Sequence, residues 1–247
     1  MSAPFARSAP VRREDCVDST NLVLRRLAAE APDGAAVIAA RQSAGRGRSG
    51  RGFLSPEGGL YLSVLRRPAV GGEALPTLTP VAAVAVCRAV ERVCALRCSI
   101  KWPNDVVLGG KKICGILVES VLGGEPSCVI VGIGINVNTP PFPEELRGGA
   151  GSLADAAGGP VDLEALAAAL LEELDGCYEA WLAEPGFCLD EYRSRCVTLG
   201  REVLAGGRSA RAEGIGADYS LLVSYPDGTR EALRFGEVSV RGLCGYA

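Results

Sequence analysis

The chain has 247 residues, of which 48% are hydrophobic and 22% are charged, and its formal net charge is −3. This composition supports a sizeable core, excludes global disorder and gives no indication of a nucleic-acid coat. The chain contains no histidine, which excludes Ser-His-Asp and Cys-His hydrolases and zinc sites that need a histidine ligand. The chemistry left to carboxylates, lysines, arginines and backbone amides suits phosphoryl or nucleotidyl transfer.

The N-terminal region and the cysteines indicate a cellular compartment. Residues 1–15 contain no apolar run, and the uncharged stretch 126–143 is broken by Gly, Asn and Pro. We therefore expect neither a secretory signal nor a membrane helix. The ten cysteines include no Cys-x-x-Cys pair, so we expect reduced thiols that pack as small apolar residues. Together these features predict a cytoplasmic protein.

The first half of the chain mixes helix and strand patterns. Ser19-Thr20-Asn21 predicts a helix N-terminus, and a glycine-rich loop, 41–59, separates predicted strands 36–40 and 60–65. A helix is predicted over 79–96, with Pro80 in its first turn. Turns at 109–110 and 123–124 then separate predicted strands at 99–102, 106–108, 113–122 and 128–137. These consecutive hairpins favour an antiparallel or mixed sheet.

The second half predicts a long helix and then a small second domain. A Pro/Gly-rich connector, 139–159, leads to a helix over 162–182. Short strand patterns within 202–214, 221–235 and 237–241 predict a β-barrel of about fifty residues that packs on the larger domain. The predicted organisation is α+β, with one domain over 1–197 and another over 198–247.

The first motif is Gly45-Arg46-Gly47-Arg48-Ser49-Gly50-Arg51. It matches G-x-G-x-x-G, but no helix pattern follows it and a Walker lysine is absent. Residues 34–56 hold four arginines and no acidic residue. Because glycines let a backbone approach a phosphate and guanidinium groups bind its oxygens, the motif predicts an anion-binding loop. A solvated flexible loop and a nucleic-acid patch are the alternatives.

The other motifs lie in the predicted hairpins. Lys101-Trp102-Pro103-Asn104-Asp105 puts a lysine beside a tryptophan in an otherwise buried strand, and Gly115, three residues after Lys112, leaves room for a ligand. Alternating glycines in 132–138 remove side chains from one strand face, which suits a flat ligand. The alternatives are an ordinary turn, a polar hairpin shoulder and a tight strand crossing.

Together these motifs resemble the biotin–protein ligase family, in the short form without an N-terminal DNA-binding domain, over about residues 16–241. The ordered set is specific, although no single motif is. The resemblance implies a catalytic domain related to class II tRNA synthetases, with a mixed sheet, and an SH3-like barrel. It also implies that biotin and ATP are substrates, with Mg²⁺, and that biotinyl-5′-AMP donates biotin to a lysine of a biotin carboxyl carrier protein domain.

The resemblance further implies the site residues. Those for biotin are Ser19, Thr20, Asn21, Gln42, Gly45, Arg46, Gly47, Arg48, Lys112 and Gly115. Those for the nucleotide are Arg46, Arg48, Arg51, Phe53, Lys101, Trp102, Asn104, Lys112, Asn136 and Arg241. Lys112, Arg48 and Asp105 are the catalytic candidates, and Asp105 is also the candidate Mg²⁺ ligand. Phe53 departs from the tryptophan usual in the family.

Two other functions stay open from the sequence. A lipoate–protein ligase shares the implied fold and chemistry, but that family usually has a histidine-containing motif. A non-enzymatic sensor of biotin or nucleotide is the second alternative. We expect no DNA binding, because about fifteen residues before Cys16 are too few for a winged helix. A free sheet edge leaves homodimerisation open.

Overall fold

The structure is a computed structural model that describes residues 8–121, 128–234 and 238–240. Its larger sheet has seven strands in the order β1-β2-β3-β7-β6-β5-β4. The strands are β1 (Val11–Val17), β2 (Ala36–Gln42), β3 (Leu60–Arg66), β4 (Ser99–Lys101), β5 (Asp105–Leu108), β6 (Lys111–Val121) and β7 (Cys128–Ile135). β1 and β2 run parallel and the other neighbours antiparallel. The predicted mixed sheet is confirmed.

Helices cover both faces of this sheet. They are α1 (Thr20–Leu27), α2 (Leu78–Cys94), α3 (Glu144–Arg147), α4 (Leu153–Ala157), α5 (Leu163–Ala183) and α6 (Leu189–Arg195). α2 and α5 pack on each other on one side of the sheet. α2 contacts β5, β6 and β7, and α5 contacts β3. α1 contacts β2, β3 and β7. Because both faces are covered, every residue of β3 is buried, including Tyr61 and Ser63.

Several local structures differ from those predicted. The connector 139–159 contains α3 and α4, and neither β1 nor α6 was predicted. Ser19 is the N-cap of α1 by position, but its side chain makes no capping hydrogen bond. Its backbone N–H instead donates to the Asp18 carboxylate. The hydrogen bond from Arg26, with the smaller contribution of Ser19, lowers the pKa of the Asp18 carboxyl to about 2. The predicted turn at 123–124 lies outside the described residues.

A second, antiparallel sheet follows, in the order β11-β10-β9-β8-β12. Its strands are β8 (Glu202–Ala205), β9 (Arg208–Ile215), β10 (Leu221–Ser224), β11 (Arg230–Leu233) and β12 (Val238–Val240). This C-terminal sheet is consistent with the predicted SH3-like domain. Its inward side chains, such as Val203, Ala212 and Leu221, join the hydrophobic core of α2 and α5. The two parts of the chain are therefore packed on one continuous core.

The cysteines behave as predicted from their number and spacing. All nine described cysteines are free, and seven of them are buried. Burial raises the pKa of Cys98 and of Cys177 to about 12, which keeps both thiols protonated. Across the described ranges, none of the helices has the length and apolar character needed to cross a membrane.

Candidate functional site

Three glycines form a floor on the face of the large sheet that α1 covers. Gly115 in β6 pairs with Gly134 in β7, and Gly132 lies two residues earlier on β7. A Cβ atom at Gly132 would overlap the amide of Asn21, and one at Gly134 would lie 2.6 Å from the ring of Phe53. We predicted room for a flat ligand here, and the three glycines do line a pocket, but the side chains of Asn21 and Phe53 take part of the space. The glycines therefore position Asn21 and Phe53 as part of the pocket wall.

An inner pocket lies above this floor and is narrow, at about 50 Å³. It is lined by Ser19, Thr20, Asn21, Gln42, Arg46, Gly47, Arg48, Phe53, Asn104, Lys112, Gly115, Ile116, Leu117, Gly132, Ile133 and Gly134. Small neutral polar side chains come from α1 and β2, and cationic ones come from the 41–59 loop and β6. A ligand much larger than this volume can enter the inner pocket only if lining side chains, such as Phe53 or Arg46, move.

One chain of hydrogen bonds fixes the neutral end of the inner pocket. The backbone N–H of Thr20 donates to Gln42 Oε1 at 2.9 Å. Since that N–H can only donate, the amide orientation of Gln42 is set, and its Nε2 donates to Ser55 Oγ at 2.9 Å. Ser55 Oγ donates in turn to the Phe53 carbonyl at 2.9 Å. The polar wall and the aromatic wall are thus linked.

A second chain fixes Asn21. Ser63 Oγ, fully buried on β3, lies 2.6 Å from Asn21 Oδ1 and 2.7 Å from Thr20 Oγ1. Asn21 Nδ2 donates to Glu119 Oε2 at 2.8 Å. Both ends of the Asn21 amide are therefore engaged, as buried polar groups require.

Glu119 also balances charge at this end of the site. Its carboxylate lies 3.2 Å from Arg46 and 3.3 Å from Arg25, and its side chain is only 15% exposed. The neutral end of the inner pocket is therefore shielded from the charge of Arg46. In the structure this contact also ties the 41–59 loop to β6.

An outer pocket of about 490 Å³ adjoins the inner one, within the size range of small-molecule sites. The two share Gly47, Arg48, Phe53, Asn104 and Lys112. The outer pocket is further lined by Arg51, Gly52, Lys101, Trp102, Pro103, Asp105, Glu144, Glu145, Leu146, Gly148, Gly149, Ala150, Val238 and Ser239. Its walls thus include α3 and a strand of the C-terminal sheet.

The junction between the pockets is cationic. Lys112 Nζ lies 2.7 Å from Asp105 Oδ1, and Lys101 Nζ lies 3.9 Å from Asp105 Oδ2. Arg48 donates to Asn104 Oδ1 at 3.0 Å, and that amide is held because Asn104 Nδ2 donates to the Ile116 carbonyl. Lys112 and Lys101 flank one carboxylate, and Arg48 lies on the neighbouring Asn104, so cations outnumber carboxylates at the junction, which favours an anionic ligand at this point.

Most residues implied by the sequence are brought together, and two are not. Gly45 lines neither pocket; a Cβ there would lie 2.5 Å from Ser55 Oγ, so its role is close packing inside the loop. Asn136, predicted to bind nucleotide, is 5% exposed, and its Nδ2 donates to the Gly151 carbonyl, so it holds the chain before α4. Arg241 lies outside the described residues.

Sequence reasoning missed residues of both pockets. Ser55, Ser63 and Glu119 support the inner pocket, and polar side chains within apolar strand patterns were the signal that could have indicated the last two. Glu144, Glu145 and Ser239 reach the outer pocket from segments with no motif, and only the fold shows their proximity.

A magnesium ion fits this site only together with a nucleotide. Within the described part of the chain, no group of three or more cysteine or acidic residues could hold a metal. Mg²⁺ commonly binds one or two carboxylates plus substrate phosphates and keeps several waters. Asp105 is already paired with Lys112, so the phosphates would supply most ligands. Its role as a Mg²⁺ ligand stays a prediction.

A pocket with a neutral polar end, which opens through a cationic junction into a larger pocket on one face of a mixed sheet, suits a domain that binds a small organic anion beside a second ligand. Residues 14–136 match the model of the biotin/lipoate A/B protein ligase family. The chain is 34% identical over 242 residues to a biotin–[acetyl-CoA-carboxylase] ligase of Paracoccus denitrificans, which covers 91% of this chain and 98% of that protein. The chain belongs to the biotin–protein ligase family.

Two further comparisons extend this result. The chain is 41% identical over 170 residues to the bifunctional ligase/repressor BirA of Bacillus subtilis, covering 67% of this chain and 51% of that protein. The matched part thus spans about half the length of that relative. The solved structure of biotin protein ligase from Aquifex aeolicus in complex with biotin and ATP superimposes with a TM-score of 0.83 at 32% identity, covering 94% of this chain and 98% of that one.

Proposed function

We propose that this protein is an ATP-dependent biotin–protein ligase. It forms biotinyl-5′-AMP from biotin and ATP and then transfers biotin to a lysine of a biotin carboxyl carrier protein domain. The observation that supports this proposal most strongly is the junction of the two pockets at Lys112 and Arg48. A carboxylic acid with a neutral polar ring matches this arrangement, with its ring in the inner pocket and its carboxylate at the junction.

The inner pocket matches the chemistry of the biotin ring. A ureido group offers two N–H donors and one carbonyl acceptor, and the walls offer the hydroxyl and amide groups of Ser19, Thr20 and Gln42. Because Gln42 and Asn21 are held by neighbours, the pocket presents a fixed pattern of donors and acceptors. Phe53 supplies an apolar wall for the rest of the ring system.

In the first step, a carboxylate oxygen of biotin attacks the α-phosphorus of ATP, and the bond to the β-phosphate oxygen breaks to release pyrophosphate. Lys112 and Arg48 offset the negative charge that gathers on the α-phosphate. Mg²⁺, which Asp105 would hold together with the phosphates, would supply further charge neutralisation. During this step the nucleotide occupies the outer pocket, whose wall includes Lys101 and Arg51.

In the second step, the neutral amine of the carrier lysine attacks the acyl carbonyl, and the bond from the acyl carbon to the phosphate oxygen breaks so that AMP leaves. The nitrogen then gives its extra proton to solvent water. The Asp105 carboxylate is engaged by Lys112 at 2.7 Å. We therefore assign it to orienting Lys112, and not to accepting the proton of the incoming amine. Neither step needs a histidine.

A carrier assay tests this function. The protein is incubated with ATP, Mg²⁺ and an apo carrier domain of the acetyl- or pyruvate-carboxylase type, with biotin or lipoate, and the intact mass of the carrier is measured. We expect one biotinyl group per carrier. Lipoyl transfer alone would identify a lipoate–protein ligase, and binding of biotin without any transfer would identify a sensor.

We also propose that the protein acts in the cytoplasm, which the free thiols of the described cysteines support, and that it does not bind DNA. A homodimer formed along the outer edge of β1 is a further proposal. Light scattering with and without biotin tests it, and a mobility shift with random duplex DNA tests the absence of DNA binding.

A further inference from the structure

Residues 102–105, which are the turn between β4 and β5 together with the first residue of β5, place Asn104 and Asp105 in the outer pocket. Hydrogen bonds to the large sheet fix the second half of this turn. Asn104 Nδ2 donates to the Ile116 carbonyl at 3.0 Å, and the Ile116 N–H donates to the Asn104 carbonyl at 3.1 Å. A displacement of this turn would therefore move the groups that surround the junction.

Residues far along the chain hold the first half of the same turn. The Tyr192 hydroxyl, from α6, donates to the Pro103 carbonyl at 3.2 Å. The Trp102 backbone N–H donates to Thr198 Oγ1 at 3.0 Å, and the Trp102 indole N–H donates to the Tyr219 carbonyl at 2.9 Å. Tyr192 and Thr198 are fully buried and belong to the wall of neither pocket.

Tyr192 is itself rigidly held. Its ring packs edge-on against the ring of Tyr219, with centroids 5.4 Å apart. Its neighbour Glu191 pairs with Arg88 of α2 at 2.6 Å, and Arg195 pairs with Glu91 of α2 at 2.8 Å. The hydroxyl that meets Pro103 is thus fixed by α2 on one side and by the C-terminal sheet on the other.

We propose that Tyr192 and Thr198 are positioning residues for the nucleotide half of the reaction. They act through Pro103 and Trp102 to set where Asn104 and Asp105 stand. The end of the inner pocket that would take the biotin ring is held by other contacts, through Gln42, Ser63 and Glu119. Although Asn104 also lines the inner pocket, binding of the ring therefore depends on Tyr192 and Thr198 less than the reaction with ATP does. Both residues lie outside the segment 14–136 that matches the family model. The inference rests on the proposed function.

Single substitutions test this inference on the full chain. Tyr192→Phe removes only the hydroxyl, and Thr198→Val replaces the acceptor of the Trp102 N–H by a methyl group of similar size. We expect kcat/KM for ATP in biotin-dependent pyrophosphate release to fall about fivefold to tenfold, the effect of losing one ordinary hydrogen bond. The Kd for biotin, measured by calorimetry without nucleotide, stays within about twofold, since the ring of biotin uses contacts that are separate from the turn.

Two controls separate positioning from general destabilisation. Thr198→Ser keeps the hydroxyl that accepts from the Trp102 N–H, so kcat/KM for ATP stays at the value of the unaltered protein. Tyr178→Phe makes the same chemical change in a buried tyrosine that stacks on Trp181, away from the turn, and leaves kcat/KM unchanged. Unaltered kcat/KM in Tyr192→Phe and Thr198→Val, or an equal loss of biotin affinity, would overturn the inference. Absence of biotin-dependent pyrophosphate release by the unaltered protein would instead contradict the proposed function, and the inference with it.

Discussion

Lys112 stands where the two pockets meet, within 2.7 Å of Asp105. Under the proposed function, Lys112→Ala removes a fixed positive charge from the site of the developing phosphorane. We expect pyrophosphate release to fall at least about a hundredfold, which corresponds to about 3 kcal/mol of lost transition-state stabilisation. The matched control is Lys111→Ala, because that lysine precedes it on β6 and is exposed. Near-normal pyrophosphate release by Lys112→Ala would show that this lysine takes no part in adenylation.

Glu119 illustrates a residue whose importance depends on its neighbours. Glu119→Gln keeps an acceptor for Asn21 but leaves Arg25 and Arg46 without their counter-ion. Because Asn21 and Arg46 both line the inner pocket, we expect biotin affinity to fall about threefold to tenfold, a change of about 1 kcal/mol. Calorimetry without nucleotide measures it. Glu57→Gln serves as control, because Glu57 pairs with Arg41 at an exposed point of the same loop; an equal effect there would show that the charge of Glu119 is unimportant.

At the scale of elements, the 41–59 loop is the part of the site that must move. The inner pocket of about 50 Å³ is too narrow for a bicyclic ligand while Phe53 and Arg46 keep their present places. We expect biotin to slow hydrogen exchange across residues 41–59, because ligand contacts offset the entropy cost of ordering a glycine-rich segment. Equal protection with and without biotin would contradict a moving loop.

The same loop should retain the reactive intermediate. Arg48 bridges the loop to Asn104 at 3.0 Å, so Arg48→Ala should loosen closure over biotinyl-5′-AMP. We expect the rate of its release to rise about tenfold while adenylation falls less. Stopped-flow release of preformed biotinyl-5′-AMP measures this, with Arg41→Ala as the matched exposed control. An unchanged release rate would assign Arg48 to charge stabilisation alone.

How much could be predicted from the sequence depended on the range of the interactions. Strands β2 to β7 and helices α2 and α5 were predicted because alternation, helical periodicity and Gly-Gly turns are local signals. β1 was missed because its sequence, Val11 to Val17, is mostly polar and its partner β2 is parallel and distant in sequence. α6 has only seven residues, too few for a clear period.

The site shows the same division. Motifs identified the cations at the junction, because lysine and arginine in glycine-rich or apolar contexts are unusual. They did not separate Asn136, which supports the chain, from Asn104, which lines both pockets. Nor did they indicate Glu144 or Ser239, since the contribution of these residues follows only from where distant segments meet.

For the whole molecule, the ion-pair network between α2 and α6 predicts how stability depends on pH. Hydrogen bonds from Arg195 lower the pKa of Glu91. Burial raises the pKa of Glu191, but hydrogen bonds from Arg88 and Arg195 outweigh the effect of burial. The pKa of both carboxyls therefore lies below the ordinary value of 4.5. A carboxyl with a lowered folded-state pKa stabilises the fold above its unfolded pKa and loses this effect as pH falls through the folded value. We therefore expect the free energy of unfolding to decrease as pH falls below about 4.5.

Chemical denaturation at pH 7 and at pH 3 measures this change. Glu191→Gln should lower stability at pH 7 and flatten the pH dependence, because the network then holds one carboxylate fewer. Glu184→Gln, at the exposed C-cap of α5, is the control. An identical pH dependence in Glu191→Gln and the unaltered protein would show that other carboxyls govern acid unfolding.

The supports of the 102–105 turn also bear on how the protein is made. Tyr192, Thr198 and Tyr219 follow their partners by 89, 96 and 117 residues. The ribosome therefore synthesises the turn well before it synthesises the three residues that hold the turn in place. Contacts at such sequence separation form late. By then β2, β3 and β7 are available to build the inner pocket. If both proposals hold, the residues that position the nucleotide half of the site are synthesised after most of the inner pocket. The site then gains its full capacity to activate biotin only when the C-terminal part of the chain has been made.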